Sequence, residues 1–148
     1  MHDRWLSVKV PLLQRGLFML RHRILIADDE PEILSEIAAY LRRRGEVVVD
    51  VSSFRDAMHV FADNPDSIAM LVTDVRMPDG NGADLARWVL ERSDGKCPCL
   101  LITGHMDQGA LAPDLEAAGV RILDKPFAMF ELYAQIRSTL ASTDKGNP

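Results

Sequence analysis

The stretch MLVTDVRMPDGNG, residues 70–82, joins a short apolar run to a loop that contains Pro78, Gly80 and Gly82. Residues 69–72 are all apolar, which is typical of a strand buried on both faces. The run leads to Asp74, so we expect this carboxylate at the carboxyl end of a buried parallel strand. Because open α/β sheets bind ligands at that edge, Asp74 is the first candidate for a functional residue.

The composition indicates one intracellular domain with a packed core. The chain has 148 residues, of which 47% are hydrophobic and 26% are charged. Its net charge of −5 disfavours nucleic acid as a partner, because phosphate backbones are bound by clustered Lys and Arg. Two cysteines do not make a disulfide framework, and no apolar run is long enough to span a membrane. We therefore expect a cytoplasmic protein that is not associated with a membrane.

Residues 1–21 do not match the pattern of the rest of the chain. They are expected to be an unstructured extension, or to result from a start assigned upstream of a true start at Met19. A signal peptide and an amphipathic surface helix are the alternatives. Lys9 and Pro11 interrupt the apolar region, which counts against a signal peptide, and Pro11 near the middle counts against the amphipathic helix.

From residue 22 onwards, short apolar runs alternate with amphipathic segments. The runs predict strands at 23–27, 47–49, 69–73, 99–102 and 120–123. The amphipathic segments predict helices at 31–44, 54–63, 83–91 and 127–140. Segment 106–118 is a weaker helix candidate, because Gly109 and Pro113 oppose a long helix. The predicted domain is 22–141, followed by a polar tail at 142–148.

This alternation predicts an α/β fold in three α/β/α layers. Short buried strands separated by helices indicate a parallel sheet that is covered on both faces. Right-handed crossovers leave few topologies. We predict a doubly wound, five-stranded parallel sheet of the flavodoxin-like type, with the strand order 2-1-3-4-5.

Polar residues follow four of the predicted strands, and in this order they converge. They are Asp28 and Asp29 after the first strand, Asp74 after the third, Thr103 after the fourth and Lys125 after the fifth. Clustered carboxylates favour a hard cation such as Mg²⁺, and a nearby Lys suits a phosphoryl group. A carboxylate can also act as a nucleophile and form an aspartyl phosphate. Each residue alone has a simpler interpretation as a helix cap or turn residue, so the hypothesis depends on their agreement.

Four motifs contain the polar residues at the ends of the predicted strands. They are Ile24-Leu25-Ile26-Ala27-Asp28-Asp29-Glu30, Thr73-Asp74-Val75-Arg76-Met77-Pro78 with Gly82, Leu101-Ile102-Thr103-Gly104-His105, and Asp124-Lys125-Pro126-Phe127. These motifs resemble those of the receiver domain of two-component response regulators, the CheY-like superfamily. The resemblance covers residues 22–141 and is closest to nitrogen-regulation and nodulation-type receivers.

The resemblance implies a bacterial signalling protein rather than a turnover enzyme. It implies that Asp74 accepts a phosphoryl group from a histidine kinase or a phosphotransfer protein. Mg²⁺ would be bound by Asp29, Asp74 and the backbone carbonyl of Arg76, with Asp28 assisting through water. Lys125 would contact the phosphoryl group. Thr103 would move towards the phosphoryl group and act as the switch, and the signal would pass to a downstream protein.

The sequence departs from the family pattern at two places. Ile122 stands three positions before Lys125, where the family usually has an aromatic switch residue, so the usual relay from Thr103 cannot operate. The fourth helix is also unusual, which affects the face of residues 106–140, the family's output surface and a possible homodimer interface. Arg76 and His105 either influence the lifetime of the phosphoryl group or simply point into solvent.

Three other classes of protein were weighed against a receiver. A haloacid dehalogenase-type phosphatase needs a second Asp two positions after the nucleophile, where this chain has Arg76. A pseudo-receiver normally lacks one of the acidic residues or the Lys, whereas this chain has all of them. In a flavodoxin, Asp28-Asp29-Glu30 would repel the phosphate of the cofactor. No output domain follows the last helix, so we expect a stand-alone receiver or a fragment of a longer regulator.

Overall fold

A computed structural model describes residues 22–104 and 112–145 of the chain. The predictions for residues 1–21, for His105, for Gly109 and for the end of the tail at 146–148 lie outside these ranges.

Five strands form one parallel sheet in the order β2-β1-β3-β4-β5, which confirms the predicted order. The strands are β1 (Arg23–Ala27), β2 (Val47–Val51), β3 (Ile68–Asp74), β4 (Cys99–Thr103) and β5 (Arg121–Asp124). The helices are α1 (Pro31–Arg43), α2 (Phe54–Asp63), α3 (Gly82–Arg92), α4 (Pro113–Ala117) and α5 (Met129–Lys145). A short 3₁₀ helix (Pro65–Ser67) precedes β3, and two short antiparallel strands, Arg76–Met77 and Gly80–Asn81, form a hairpin after it.

Alternate residues of the strands pack into two hydrophobic layers, one on each face of the sheet. Leu25, Leu71 and Leu101 face the layer that contains α2 and α3. Their chain neighbours face the layer that contains α1 and α5. The second layer includes Ile24, Ile26, Met70, Val72, Leu100 and Ile102. Because both faces are covered, the central strands are apolar at nearly every position.

Local signals in the sequence account for where the helices begin and end. Pro31 is at the start of α1, where its missing N–H is not needed. The hydroxyl of Ser53 accepts a hydrogen bond from the N–H of Asp56 at 3.0 Å, so Ser53 caps α2. Gly45 follows α1 with φ +86°, a conformation that costs a residue with a side chain more than it costs Gly.

Two helices differ from their predicted limits. Pro113 begins α4 rather than breaking it, since the first turn of a helix tolerates Pro. Helix α5 begins at Met129 and continues to Lys145, so it extends into the predicted polar tail. The hydroxyl of Thr143 donates to the carbonyl of Thr139 at 3.0 Å, which satisfies this polar side chain within the helix.

Within the described ranges, no helix is both long enough and apolar enough to cross a membrane.

Candidate functional site

The register of the strands brings their carboxyl ends to one level. Ala27 at the end of β1 pairs with Thr73 of β3, and Thr103 of β4 pairs with Asp124 of β5. Strands β1 and β3 are neighbours, but the helices that follow them, α1 and α3, pack on opposite faces of the sheet. The connections diverge here and leave a crevice at the switch point of the sheet. The acidic residues predicted from the sequence flank this crevice.

Asp28 is a buried carboxylate at the base of the crevice, with 1% of its surface exposed. Its Oδ1 accepts a hydrogen bond from the N–H of Glu30 at 2.9 Å. Its Oδ2 is buried and has no hydrogen-bond partner among the described residues. The pKa of Asp28 is raised to about 6, mainly by burial and also by the charge of Asp74, although the hydrogen bond from the Glu30 N–H lowers it.

Asp74 is the last residue of β3, and its carboxylate faces the ammonium of Lys125. The Nζ of Lys125 lies 3.4 Å from Oδ2 of Asp74, whose side chain is only 8% exposed. Burial raises the pKa of Asp74, and Lys125 offsets part of that effect. The charge of Asp29 also raises the pKa of Asp74. Burial therefore makes the ionised form of these carboxyl groups less favourable than in water, and a nearby cation offsets this effect.

Glu30 also belongs to the site, although no role was predicted for it from the sequence. Its Oε1 accepts a hydrogen bond from Nζ of Lys125 at 3.1 Å, so Lys125 bridges Glu30 and Asp74. Burial lowers the pKa of Lys125, but the contact with Glu30 and the charge of Asp74 outweigh it, so the pKa lies above its usual value. The position of Glu30, directly after Asp28-Asp29 and before the Pro that opens α1, was the available signal.

One group of carboxylate oxygens could hold a metal ion. Asp28, Glu30 and Asp74 each offer an oxygen, and these atoms lie within 4.8 Å of one another. Asp29, which we expected as a ligand, is half-buried and is not in this group. Arg76 is exposed in the first strand of the hairpin. The oxygen donors and the unsatisfied Oδ2 of Asp28 fit a hard divalent cation such as Mg²⁺.

Thr103 is in the site but is turned towards β5 rather than towards Asp74. It is buried, and its hydroxyl donates to Oδ1 of Asp124 at 2.7 Å. The carbonyl of Thr103 accepts the N–H of Lys125 at 2.8 Å, which ties the ends of β4 and β5 together. Ile122 packs partly buried against the layer of α2 and α3.

Gly82 is required by the close approach of the loop to β3. A Cβ at this position would overlap the backbone carbonyl oxygen of Asp74. The N–H of Gly82 donates to the carbonyl of Val75 at 2.7 Å, which closes the loop behind Asp74. The sequence indicated only that Gly82 lies in a loop. The structure shows that the carbonyl of Asp74 excludes a side chain at this position.

The open, doubly wound sheet and the acidic crevice at its switch point define a class of α/β domain. A family model described as the response regulator receiver domain matches residues 24–137. The chain belongs to the response regulator receiver domain family, the receivers of bacterial two-component systems.

Similar proteins agree with this assignment. The transcriptional regulatory protein GltR of Pseudomonas aeruginosa is 34% identical over 118 residues, which are 79% of this chain and 48% of GltR. The response regulator protein TodT of Pseudomonas putida is 31% identical over 131 residues, which are 86% of this chain and 56% of TodT. The chain spans about half the length of these curated relatives.

A solved structure supports the fold. The crystal structure of a response regulator receiver domain protein from Clostridium thermocellum superposes with a TM-score of 0.76 at 27% sequence identity. The match covers 82% of this chain and 96% of that chain.

Proposed function

We propose that this receiver domain accepts a phosphoryl group on Asp74 and transmits a signal through contacts with other proteins. The observation that carries the proposal is the placement of the Asp74 carboxylate at the end of β3, nearly buried and 3.4 Å from Nζ of Lys125. A buried carboxylate beside a cation is suited to attack an electrophile and to have its product's charge neutralised.

The reaction is a transfer between two side chains. An oxygen of ionised Asp74 forms a bond to phosphorus as the bond from phosphorus to the donor nitrogen breaks, and the imidazole of the donor His leaves with the electron pair. Lys125, already in contact with Asp74, balances the negative charge of the phosphoryl oxygens. The acceptor is fixed at the end of a central strand, so the donor does not have to order it.

Magnesium is the cofactor that the site fits. Asp29, Asp74 and the backbone carbonyl of Arg76 would hold the ion, with Asp28 assisting through water. When bound, Mg²⁺ supplies positive charge that stabilises the transferring phosphoryl group. The excess of carboxylates over the one ammonium of Lys125 at the crevice supports this proposal, as does the unsatisfied Oδ2 of Asp28.

Thr103 is the proposed switch residue. Its hydroxyl is held by Asp124 at 2.7 Å, so it has to leave that partner to donate to a phosphoryl oxygen on Asp74. Ile122 has no hydroxyl and cannot complete a hydrogen-bonded relay from Thr103. The signal would therefore pass through packing at β5 rather than through an aromatic hydroxyl.

The partners are proposed from family membership. We infer a sensor histidine kinase or a phosphotransfer protein as the donor and a downstream protein as the target, in the cytoplasm of a bacterium. Homodimerisation through the face of residues 106–140 stays a proposal, as does any output activity, because the chain spans about half the length of its curated relatives.

Incubation with acetyl phosphate and Mg²⁺, followed by intact mass measurement, tests the proposal. We expect a gain of one phosphoryl group that disappears in EDTA and in Asp74→Asn. Asp63→Asn, an equal change at the exposed end of α2, is the control and should be phosphorylated like the wild type. Equal uptake by Asp74→Asn, or no uptake from acetyl phosphate or from a phosphorylated histidine kinase, would refute it.

A further inference from the structure

The N-terminus of α2 is capped by two side chains, one of which comes from the loop that follows Asp74. The hydroxyl of Ser53 accepts the N–H of Asp56. The N–H groups of Phe54 and Arg55, the first two of the helix, donate to Oδ1 and Oδ2 of Asp79 at 2.9 and 3.0 Å. Asp79 lies 24 residues beyond Arg55, so this carboxylate caps the helix from a distant part of the chain. Its negative charge is also favourable at the positive end of the helix dipole.

Asp79 sits at the tip of the hairpin that carries Arg76. Its neighbour Gly80 pairs with Met77, and Arg76 pairs with Asn81. A Cβ on Gly80 would overlap the ring of Phe54, so the hairpin lies directly on the first turn of α2. The position of Arg76 is thus connected to α2 through one short strand pairing and the carboxylate of Asp79.

The other end of the loop is fixed to α3. The side-chain oxygen of Asn81 accepts the N–H of Ala83 at 2.7 Å, and the N–H of Gly82 donates to the carbonyl of Val75. Segment 75–82 is therefore held at its two ends by β3 and α3 and at its tip by α2. Among these attachments, the hydrogen bonds of Asp79 link the loop to a helix that is not adjacent to it in sequence. Because they are made by a side chain, a substitution can remove them.

We propose that Asp79 is a positioning residue for the phosphoryl-acceptor loop, which clamps the hairpin of residues 76–81 onto α2 so that the backbone carbonyl of Arg76 is preorganised beside Asp74. This inference rests on the proposed function, in which that carbonyl is a Mg²⁺ ligand. Groups that hold ligands in place strengthen metal binding without touching the metal. Asp79 itself is exposed and does not belong to the group formed by Asp28, Glu30 and Asp74.

Ser53→Ala is the matched control for Asp79→Ala. Each substitution removes side-chain hydrogen bonds from the same end of α2, but only Asp79 also reaches the acceptor loop. Two quantities should be measured on full-length protein: the Kd for Mg²⁺ by calorimetry, and the amide hydrogen exchange of residues 75–82 in metal-free protein. The exchange measurement does not depend on phosphorylation or on bound metal.

We expect Asp79→Ala to weaken Mg²⁺ binding by about 10-fold, the effect typical of removing a residue that orients a ligand. It should also accelerate exchange at Gly82. Ser53→Ala should leave both quantities close to the wild-type values. Asp79→Asn keeps one oxygen acceptor, so its Kd for Mg²⁺ and its exchange rate should lie between those of Asp79→Ala and the wild type. It replaces Asp79→Ala in the test if that variant does not fold.

Two outcomes would overturn the inference, and they are distinguishable. If the wild type binds Mg²⁺ and Asp79→Ala has the same Kd and exchange as Ser53→Ala, Asp79 is only a helix cap. If the wild type neither binds Mg²⁺ nor takes up a phosphoryl group, the proposed function fails and this inference fails with it.

Discussion

Lys125 determines the charge balance of the site at the scale of single residues. Its ammonium contacts Glu30 at 3.1 Å and Asp74 at 3.4 Å. Asp28 is buried, and its Oδ2 has no hydrogen-bond partner in the described part of the chain. Burial raises the pKa of both Asp28 and Asp74, so nearby positive charge stabilises their ionised forms. If a divalent cation binds as proposed, it would compete with Lys125 for the carboxylate of Asp74.

This competition predicts opposite effects of Lys125→Ala on two measurements. Mg²⁺ should bind severalfold more tightly, because a neighbouring positive charge has been removed. Phosphoryl uptake from acetyl phosphate should slow, because the phosphoryl oxygens lose their counter-charge. Calorimetry gives the first quantity, and the time course of the intact mass gives the second.

Lys96→Ala changes the net charge equally but lies before the start of β4, at the opposite end of that strand from the site. It should alter neither measurement appreciably. Weaker Mg²⁺ binding by Lys125→Ala would contradict competition between the ammonium and the metal.

Residue types and spacing were enough to predict which sheet edge these side chains occupy, but not the contacts that each of them makes. Asp28, Asp74 and Lys125 were expected at the sheet edge, and the strand order brings them there. The bridging role of Glu30 was missed, because an acidic residue just before a helix usually interacts favourably with the helix dipole alone. The hydrogen bond of Thr103 to Asp124 depends on the pairing of β4 with β5 and has no local signal.

At the scale of elements, the loop between β3 and α3 has many turn-forming residues and also makes close contacts with its neighbours. Pro78, Gly80 and Gly82 are residue types typical of a flexible loop. In the structure, Gly80 lies against Phe54, and Gly82 lies against the carbonyl of Asp74. These glycines permit close contacts that a side chain would prevent.

Gly82→Ala should therefore damage both stability and function. Overpacking against the Asp74 carbonyl should lower the free energy of unfolding by about 1–3 kcal/mol and shift the acceptor residue, which reduces phosphoryl uptake. Urea denaturation and intact mass measure the two effects.

Gly95→Ala is the comparison. Gly95 has φ +74°, and an added Cβ would lie in open space, so Ala there costs about 1–2 kcal/mol through backbone strain alone. Its phosphoryl uptake should remain normal. Normal uptake by Gly82→Ala as well would show that the position of Asp74 does not depend on this contact.

Element limits were predicted well where a local cap exists and less well elsewhere. The predicted start of α2 at residue 54 is confirmed, and Ser53 caps that end of the helix. The predicted end of α1 lies within one residue of the observed end, after which Gly45 has a positive φ. The length of α5 was underestimated, because Ser and Thr disfavour helices on average. In this helix, the hydroxyls of Thr139 and Thr143 are satisfied by carbonyls one turn earlier.

At the scale of the whole molecule, two hydrophobic layers hold an acidic edge in place. The alternation of apolar and amphipathic segments predicted this architecture, because a parallel sheet must be covered on both faces. The polar groups at the carboxyl edge oppose that stability, because Asp28 and Asp74 are removed from water without full compensation. The metal-free protein should therefore be less stable than the metal-bound form.

We expect Mg²⁺ to raise the free energy of unfolding by about 2.7 kcal/mol at a concentration roughly 100 times its Kd, because it binds the folded state. Removal of the metal with EDTA should reverse the change. Thermal unfolding at increasing Mg²⁺ concentrations measures the effect, and NaCl at equal ionic strength controls for screening. The gain should be much smaller in Asp74→Asn. An equal gain in that variant would place the stabilising metal elsewhere.

The central claim is that Asp74 carries the phosphoryl group, and chemical trapping tests it most directly. Protein treated with acetyl phosphate and Mg²⁺ is reduced with borohydride, which converts the acyl phosphate of an aspartate into homoserine, and the peptides are then sequenced by mass spectrometry. We expect homoserine at position 74, only after phosphorylation and only with Mg²⁺. Homoserine at Asp28 or Asp29, with Asp74 intact, would contradict the claim.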